Sequence, residues 1–228
     1  MVRYRDRHEA GSILAAEVVR AVRGPCVVAA IPRGGIVVAA PVAERLAAPL
    51  TMVYARKIAL PIAPEFAIGA LDEDGEATFE HTWPRWREVV REEDVAAARA
   101  RVGAEIARQR DRYGAPALAP LARGATVVLV DDGLATGLTM RAAVAYARRS
   151  GATRVVVAAP CASEEAAERL TREADRFVCP LVDPDFGAVG SYYRAFGSVS
   201  DEEVLATLAG ARARMTTPAG SVPPASVP

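Results

Sequence analysis

The chain has 228 residues, of which 51% are hydrophobic and only 6% aromatic, as expected of an Ala/Val-rich α/β protein with one sizeable core. Its 28 basic and 28 acidic residues give a formal net charge of zero, which argues against a nucleic-acid-binding or anionic-membrane-binding protein. No apolar stretch is long enough to span a bilayer, and the N-terminus has no apolar signal-peptide core. We therefore expect a cytoplasmic protein without nucleic-acid or membrane partners.

Apolar runs alternate with amphipathic segments in the β-α-β order of a parallel, doubly wound sheet. Strands are predicted at residues 26–31, 51–55, 126–130, 154–159 and 177–181. Helices are predicted at residues 8–23, 36–46, from 85 or 92 to 113, and at 139–150, 164–173 and 201–212. Residues 58–81 break this order, because prolines are followed there by alternating residues, which predicts a loop and a small antiparallel excursion. The predicted fold class is α/β.

Cysteines and histidines are few and scattered. Cys26, Cys161 and Cys179 are an odd number without a Cys-x-x-Cys spacing, which favours buried, reduced thiols. His8 and His81 have no acidic or thiol partners nearby in sequence and are expected at the surface. These patterns argue against a zinc site and against a Ser-His-Asp triad.

The most informative segment is the apolar run at 126–130 with the loop that follows it. Asp131 and Asp132 end the run, and Thr136 to Thr139, with the sequence Thr-Gly-Leu-Thr, open the next helix. Free backbone N–H groups, two hydroxyls and the helix dipole suit a phosphate dianion, whereas the acids suit ligand hydroxyls or a hard cation. A ribose 5-phosphate meets all these needs. The alternative is an ordinary strand-to-helix turn with solvated acids; a P-loop is excluded because no Gly-x-x-x-x-Gly-Lys-Ser/Thr run occurs.

This segment resembles the motif that binds 5-phosphoribosyl 1-diphosphate (PRPP) in type I phosphoribosyltransferases. The resemblance implies that PRPP is bound by Asp131, Asp132, Gly133, Leu134, Ala135, Thr136, Gly137, Leu138 and Thr139. It also implies that Asp131 and Asp132 hold Mg²⁺, directly or through water. Residues 55–58, 64–70 and 185–193 are similar to one branch of the family, whose acceptor is unassigned.

The resemblance covers about residues 4–208 and implies a domain organisation. The fold would be Rossmann-like and doubly wound, with a mainly parallel sheet, helices on both faces and a small hood and flexible-loop subdomain. A single domain would span residues 1–213, with a loop, hairpin and long-helix insertion at 58–115 and a hood-like segment at 183–213. Residues 214–228 are rich in Thr, Pro, Ser and Gly and are expected to be disordered. Family analogy further implies a homodimer.

A second turn, Pro32-Arg33-Gly34-Gly35, follows the first predicted strand. Taken alone, this sequence is that of an ordinary turn, and an arginine beside such a turn is usually solvated. In a parallel sheet, however, it would lie at the same edge as Asp131. The resemblance implies that Arg33, Gly34 and Gly35 bind pyrophosphate, and that the Pro32–Arg33 or the Arg33–Gly34 peptide bond is cis.

Arg56 and Lys57 are predicted to end the second strand at that same edge. Lys57 is the only lysine in the chain, which indicates either a general drift from Lys to Arg or a position that needs a compact ammonium group. The resemblance places basic residues here, beside a mobile loop that closes over pyrophosphate. It implies that Arg56 and Lys57 bind pyrophosphate and that, together with Asp132, they are catalytic.

The implied reaction is Mg²⁺-dependent transfer of the 5-phosphoribosyl group to a nitrogenous acceptor, with release of pyrophosphate. Phe186, Tyr192 and Tyr193 either stack on a planar acceptor or pack the last strand and the C-terminal helix. Hypoxanthine-type enzymes carry an acid at the position of Ala135, so a general base here must come from elsewhere or not be needed. Glu65 is a candidate, although a surface carboxylate is the favoured interpretation.

Two other functions compete with this one. A PRPP-sensing regulatory module would keep the fold and bind PRPP without turnover, although such a module has no need of Arg56 and Lys57. A nucleotide hydrolase or kinase is disfavoured by the missing triad and the missing P-loop.

Overall fold

The computed structural model describes residues 4–60, 63–80 and 90–216. The strands are β1 (Cys26–Ala30), β2 (Leu50–Met52), β3 (Ala55–Leu60), β4 (Ala63–Asp72), β5 (Ala77–Phe79), β6 (Thr126–Val130), β7 (Arg154–Ala158), β8 (Cys161–Ser163), β9 (Arg176–Val178) and β10 (Leu181–Asp183). The helices are α1 (Arg7–Ala21), α2 (Gly34–Leu46), α3 (Glu92–Tyr113), α4 (Leu118–Ala122), α5 (Leu138–Arg149), α6 (Glu164–Glu173) and α7 (Asp201–Thr216).

A five-stranded parallel sheet, in the order β2-β1-β6-β7-β9, forms the centre of the fold. Its strands are apolar on both faces because each face is covered by helices. In β6, Val127 and Leu129 pack with α4, α5 and α6, whereas Val128 and Val130 pack with α1 and α2. This three-layer arrangement confirms the predicted α/β class. Ala30 pairs with Val130, so the segments that leave β1 and β6 begin side by side.

Two of the predicted strands divide between sheets, which corrects the prediction. The strand expected at 51–55 leaves the main sheet after Met52, and Ala55 begins β3 in a separate antiparallel sheet of order β3-β4-β5. Arg56 and Lys57 therefore lie inside β3 and not at the end of a main-sheet strand. The strand expected at 177–181 divides before Pro180, which has no N–H for a ladder; β10 pairs with β8 instead.

The small antiparallel sheet lies in the region where a loop and a small antiparallel excursion were expected, which confirms the excursion. Burial alternates along β3, so Ile58 is buried while Lys57, opposite Ala70, is exposed. The sheet packs on α3 and α5. The long third helix begins at Glu92, the later of the two predicted starts. His81 lies outside the described residues, whereas His8 is exposed as expected.

Asp72 anchors the turn between β4 and β5. Its carboxylate is 1% exposed, accepts from Arg149 Nη2 at 2.5 Å and accepts from the N–H groups of Asp74 and Glu76. We expect Asp72→Ala to lower the free energy of unfolding by about 2 kcal/mol, because three hydrogen bonds lose their acceptor. Urea denaturation measures this. Asp74→Ala is the matched control, since its carboxylate is 56% exposed and 4.0 Å from the same arginine; equal losses in both variants would contradict the assignment.

Glu73, in the same turn, gives stability a pH dependence. Burial raises its pKa from 4.5 to about 7, and its Oε1 has no hydrogen-bond partner. Since the folded state binds the proton more tightly than the unfolded state, Glu73 lowers stability as pH rises between these two values. We expect Glu73→Gln to raise the thermal midpoint at about pH 8 and to change it little at about pH 4. Glu76→Gln, at an exposed site, is the control; equal gains at both pH values would refute the prediction.

The N-terminal and C-terminal parts of the described chain meet. Tyr4 donates its N–H to Tyr192 O and accepts from Arg194 N–H, both at 2.8 Å. Helix α7 packs on α2 and extends to Thr216, so residues 214–216, which were assigned to the disordered tail, are helical. Residues 217–228 lie outside the described residues. The three cysteines are free, with Cys161 buried and the other two half-buried. None of the described helices is long and apolar enough to cross a membrane.

Candidate functional site

Two adjoining cavities lie at the carboxyl ends of β1 and β6. The smaller, of about 160 Å³, is lined by the loop after β6 and is here called the loop cavity; the larger, of about 470 Å³, is lined by the turn after β1, by β3 and by α3 and is called the turn cavity. Lys57, Asp131 and Thr139 line both. The structure thus brings together the motif loop, the Arg33 turn and the Arg56-Lys57 pair.

The loop cavity is built by residues 133–140, together with Val189 from the C-terminal segment. Helix α5 begins at Leu138, so the positive end of its dipole lies at this cavity. Strand β8 holds the loop: Leu134 donates its N–H to Cys161 O at 3.0 Å, and Ser163 Oγ donates to Ala135 O at 2.6 Å. Ser163 also caps α6 as predicted, but its contact with the motif loop was missed.

The two acids of the motif differ in environment. Asp131 Oδ1 accepts the N–H of Asp132 at 2.8 Å. Burial, and then the neighbouring carboxylate of Asp132, raise the pKa of Asp131 well above its usual range. Asp132 Oδ2 accepts from Arg7 Nε at 2.7 Å, and the two side chains are only 15% and 11% exposed. Arg7 was not predicted, since its partner is 125 residues away in sequence and its local pattern is that of a helix start.

The turn after β1 approaches these acids so closely that glycine is required. A Cβ atom on Gly34 would lie 1.9 Å from Asp132 Oδ2, and one on Gly35 would lie 2.8 Å from Val130 O. The Pro32–Arg33 peptide bond is cis, which was one of the two bonds expected. Gly34 and Gly35 therefore allow the turn to lie directly against the two acids.

The cations of the turn cavity differ in how they are paired. Arg56 lies 3.0 Å from Glu105 Oε2, and Arg33 lies 3.9 Å from Asp201 Oδ1. Lys57 is exposed and forms no ion pair within the described part of the chain. Lys57 is therefore the cation most available to a ligand where the cavities join. The sequence did not predict that Glu105 and Asp201 pair with these arginines. The spacing of apolar residues in a helix indicates which face packs on the core, but not which carboxylate contacts a distant arginine.

The three aromatic residues proposed for the acceptor pack against other parts of the protein. Tyr192 is 1% exposed, stacks on Phe186 at 4.8 Å and donates to Asp183. Tyr193 is 4% exposed, and its hydroxyl donates to Asp132 O at 2.5 Å. None of the three lines either cavity. Tyr192 and Tyr193 are thus engaged in packing, whereas Phe186 is half-buried and stacks on Tyr192. Acceptor binding by these residues stays a prediction. The side chain of Glu65 lies outside what the structure describes.

Comparison with known proteins decides the family. A family model described as the phosphoribosyl transferase domain matches residues 8–195. The chain belongs to this family. Two curated relatives from Mycobacterium tuberculosis, of strains CDC 1551 / Oshkosh and H37Rv and provisionally named as phosphoribosyl transferases, are each 37% identical over 203 residues, or 89% of this chain. The chain spans only 46% of the length of those relatives.

A solved structure supports the fold of the phosphoribosyltransferase chain. The crystal structure of TT1426 from Thermus thermophilus is similar at 42% sequence identity and a TM-score of 0.76. The match covers 91% of this chain and 98% of that chain. The structural match therefore extends over nearly the whole of both chains.

Proposed function

We propose that this phosphoribosyltransferase transfers the 5-phosphoribosyl group of PRPP to a nitrogenous acceptor, with release of pyrophosphate. The observation that carries the proposal is the junction of the two cavities at Lys57, Asp131 and Thr139. The loop cavity suits the 5-phosphate, because it combines N–H groups, threonine hydroxyls and a helix N-terminus. The turn cavity suits pyrophosphate, because basic side chains line it. The ribose would span the junction.

The side chains at the junction have separate roles in this proposal. Asp131 and Asp132 accept hydrogen bonds from the ribose hydroxyls. Arg33, Arg56 and Lys57 neutralise the negative charge that grows on pyrophosphate as the bond to C1 breaks. Fixed charges of this kind can supply the largest single part of a rate enhancement. Catalysis therefore depends on where β3 and the Arg33 turn hold these cations.

Magnesium fits the site as an ion bound together with the donor. Among the described residues, no cluster of three or more His, Cys, Asp or Glu side chains could hold a metal ion. Mg²⁺ is commonly held by one or two carboxylates together with substrate phosphates. Asp131 lines both cavities and Asp132 lines the turn cavity, so their two carboxylates would hold the ion once PRPP supplies the remaining oxygens. The bound ion would neutralise pyrophosphate charge.

The acceptor would approach from the C-terminal segment that precedes α7. Val189 lines the loop cavity, and its Cγ1 would be 2.5 Å from a Cβ atom on Gly133. We propose that this part of residues 183–213 acts as the hood, with the insertion at 58–115 on the pyrophosphate side. A nucleobase-like ring would then pack on aliphatic groups of the protein.

Calorimetric titration with PRPP and Mg²⁺, followed by measurement of pyrophosphate release across purines, pyrimidines and other amines, tests the function. We expect binding and acceptor-dependent release of pyrophosphate. Ribose 5-phosphate, which lacks the pyrophosphate group, is the matched control ligand and should bind more weakly. The absence of binding at millimolar PRPP would refute the proposal. Binding of PRPP without release of pyrophosphate across the panel would favour the alternative function, a regulatory module that senses PRPP. The observation that supports this alternative is the methyl group of Ala135, which stands where hypoxanthine-type enzymes carry an acid.

A further inference from the structure

Arg7, the first residue of α1, lies where four segments of the chain meet. Its Nε donates to Asp132 Oδ2 at 2.7 Å, and its Nη1 donates to Gly197 O at 2.8 Å. Its Cζ lies 3.8 Å from the centroid of the Phe196 ring. A Cβ atom on Gly34 would lie 3.0 Å from Arg7 Nε. One guanidinium thus lies against the motif loop, the Arg33 turn and the C-terminal segment.

This contact set suits arginine better than lysine. A planar guanidinium can donate in two directions while its face lies on an aromatic ring, which a single ammonium group cannot reproduce. The pairing also offsets the lost hydration of a carboxylate that is only 15% exposed, since a nearly buried acid needs a cation and hydrogen bonds around it. Tyr193 holds the same acid by its backbone oxygen. Asp132 is therefore fixed through both its side chain and its main chain.

The charge of Arg7 also matters to an incoming anion. PRPP carries phosphate charge at both ends, and the carboxylate of Asp132 would repel it. Arg7 offsets that negative charge from a position where it lines neither cavity. Arg7 donates to Oδ2 of Asp132 alone. In this proposal the other carboxylate oxygen, Oδ1, accepts the ligand hydroxyl.

We propose that Arg7 is a positioning residue for donor binding. It holds the Asp132 carboxylate in one orientation and cancels its charge, so that this acid accepts a ribose hydroxyl without repelling the phosphates. The inference rests on the proposed function. Arg7 itself does not touch the donor; it acts through Asp132.

A double-mutant cycle on PRPP affinity tests this inference in the full chain. Calorimetry with PRPP and Mg²⁺ is applied to wild type, Arg7→Gln, Asp132→Asn and the double variant. Arg7→Gln is expected to raise the Kd for PRPP about tenfold, the cost of losing one hydrogen bond to a charged group. In the Asp132→Asn background the same change should raise Kd less than twofold, on the order of the error of additivity. Arg20→Ala is the control on the same helix, since its side chain is 72% exposed.

The outcomes separate this inference from the proposed function. Independent, multiplying effects of Arg7→Gln and Asp132→Asn would overturn the role of Arg7, and so would an unchanged Kd in Arg7→Gln while wild type binds PRPP. If wild type binds no PRPP, both proposals fail. If Arg7→Gln lowers the thermal midpoint below the assay temperature, Arg7→Lys replaces it in the cycle. This variant keeps the positive charge but loses the planar guanidinium, so its Kd for PRPP is expected to lie between those of wild type and Arg7→Gln. A wild-type Kd in Arg7→Lys would overturn the inference.

Discussion

Lys57→Ala is expected to lower kcat/KM for PRPP by about 10²- to 10³-fold, the range seen when one preorganised transition-state contact is removed. Lys57 lines both cavities and forms no ion pair within the described residues. Its charge is therefore not committed to a protein partner and can meet the oxygen that leaves C1. The free energy of unfolding should stay within about 0.5 kcal/mol of wild type, because the side chain is exposed. Initial rates of pyrophosphate release measure the first quantity, and urea denaturation measures the second.

Lys57→Arg separates charge from shape at this position. A guanidinium keeps the charge but is larger and planar, so partial activity is expected if a compact ammonium is required. Arg20→Ala is the control for loss of an exposed positive charge, because Arg20 lines neither the loop cavity nor the turn cavity. An unchanged kcat/KM in Lys57→Ala would remove Lys57 from the mechanism. A raised KM for PRPP with unchanged kcat would restrict it to binding.

Gly34→Ala is expected to weaken PRPP binding by about a hundredfold, because the methyl group displaces a binding residue. Its Cβ atom would lie 1.9 Å from Asp132 Oδ2 and 3.0 Å from Arg7 Nε. Real Cβ atoms do not approach so closely, so either the carboxylate or the turn must move. We also expect a loss of about 1–3 kcal/mol in the free energy of unfolding, typical of overpacking. Calorimetry with PRPP and urea denaturation measure the two effects.

Gly187→Ala is the matched control for Gly34→Ala. A Cβ atom on Gly187 would meet nothing within 4 Å, so the same chemical change should leave both PRPP affinity and stability near wild type. If Gly34→Ala binds PRPP as wild type does, the close approach of turn and acid is not needed for donor binding.

Much of the fold can be predicted from local patterns in the sequence. The run at 126–130 is confirmed as β6, because a nearly continuous apolar run is typical of a parallel strand with a helical layer on each face. Ser163 is confirmed as an N-cap, with its Oγ accepting from Ala166 N–H at 3.0 Å. The motif loop and the Arg33 turn could be assigned to one edge of the main sheet, because parallel strands end together. Arg56 and Lys57 reach the turn cavity from β3 of the antiparallel sheet instead.

What could not be predicted depends on contacts between distant segments. Val53 and Tyr54 favour strand, yet the chain changes sheets there because Ala55 pairs with Asp72. Tyr192 and Tyr193 have suitable rings for stacking, but their burial follows from a bridge to Tyr4 that no local pattern shows. Arg7 and Asp132 are each ordinary in sequence, and only the folded chain makes them a pair.

The division of the site into two volumes has a consequence for how ligands leave it. In the proposed function, PRPP behaves as two linked ligands, a sugar phosphate in the loop cavity and a pyrophosphate in the turn cavity. Linked ligands gain affinity because the second group binds at a high effective concentration once the first is bound. Cleavage of the bond at C1 ends that linkage, so each fragment is held afterwards by its own contacts alone. The same chemical step that forms the product would then loosen the site's hold on it.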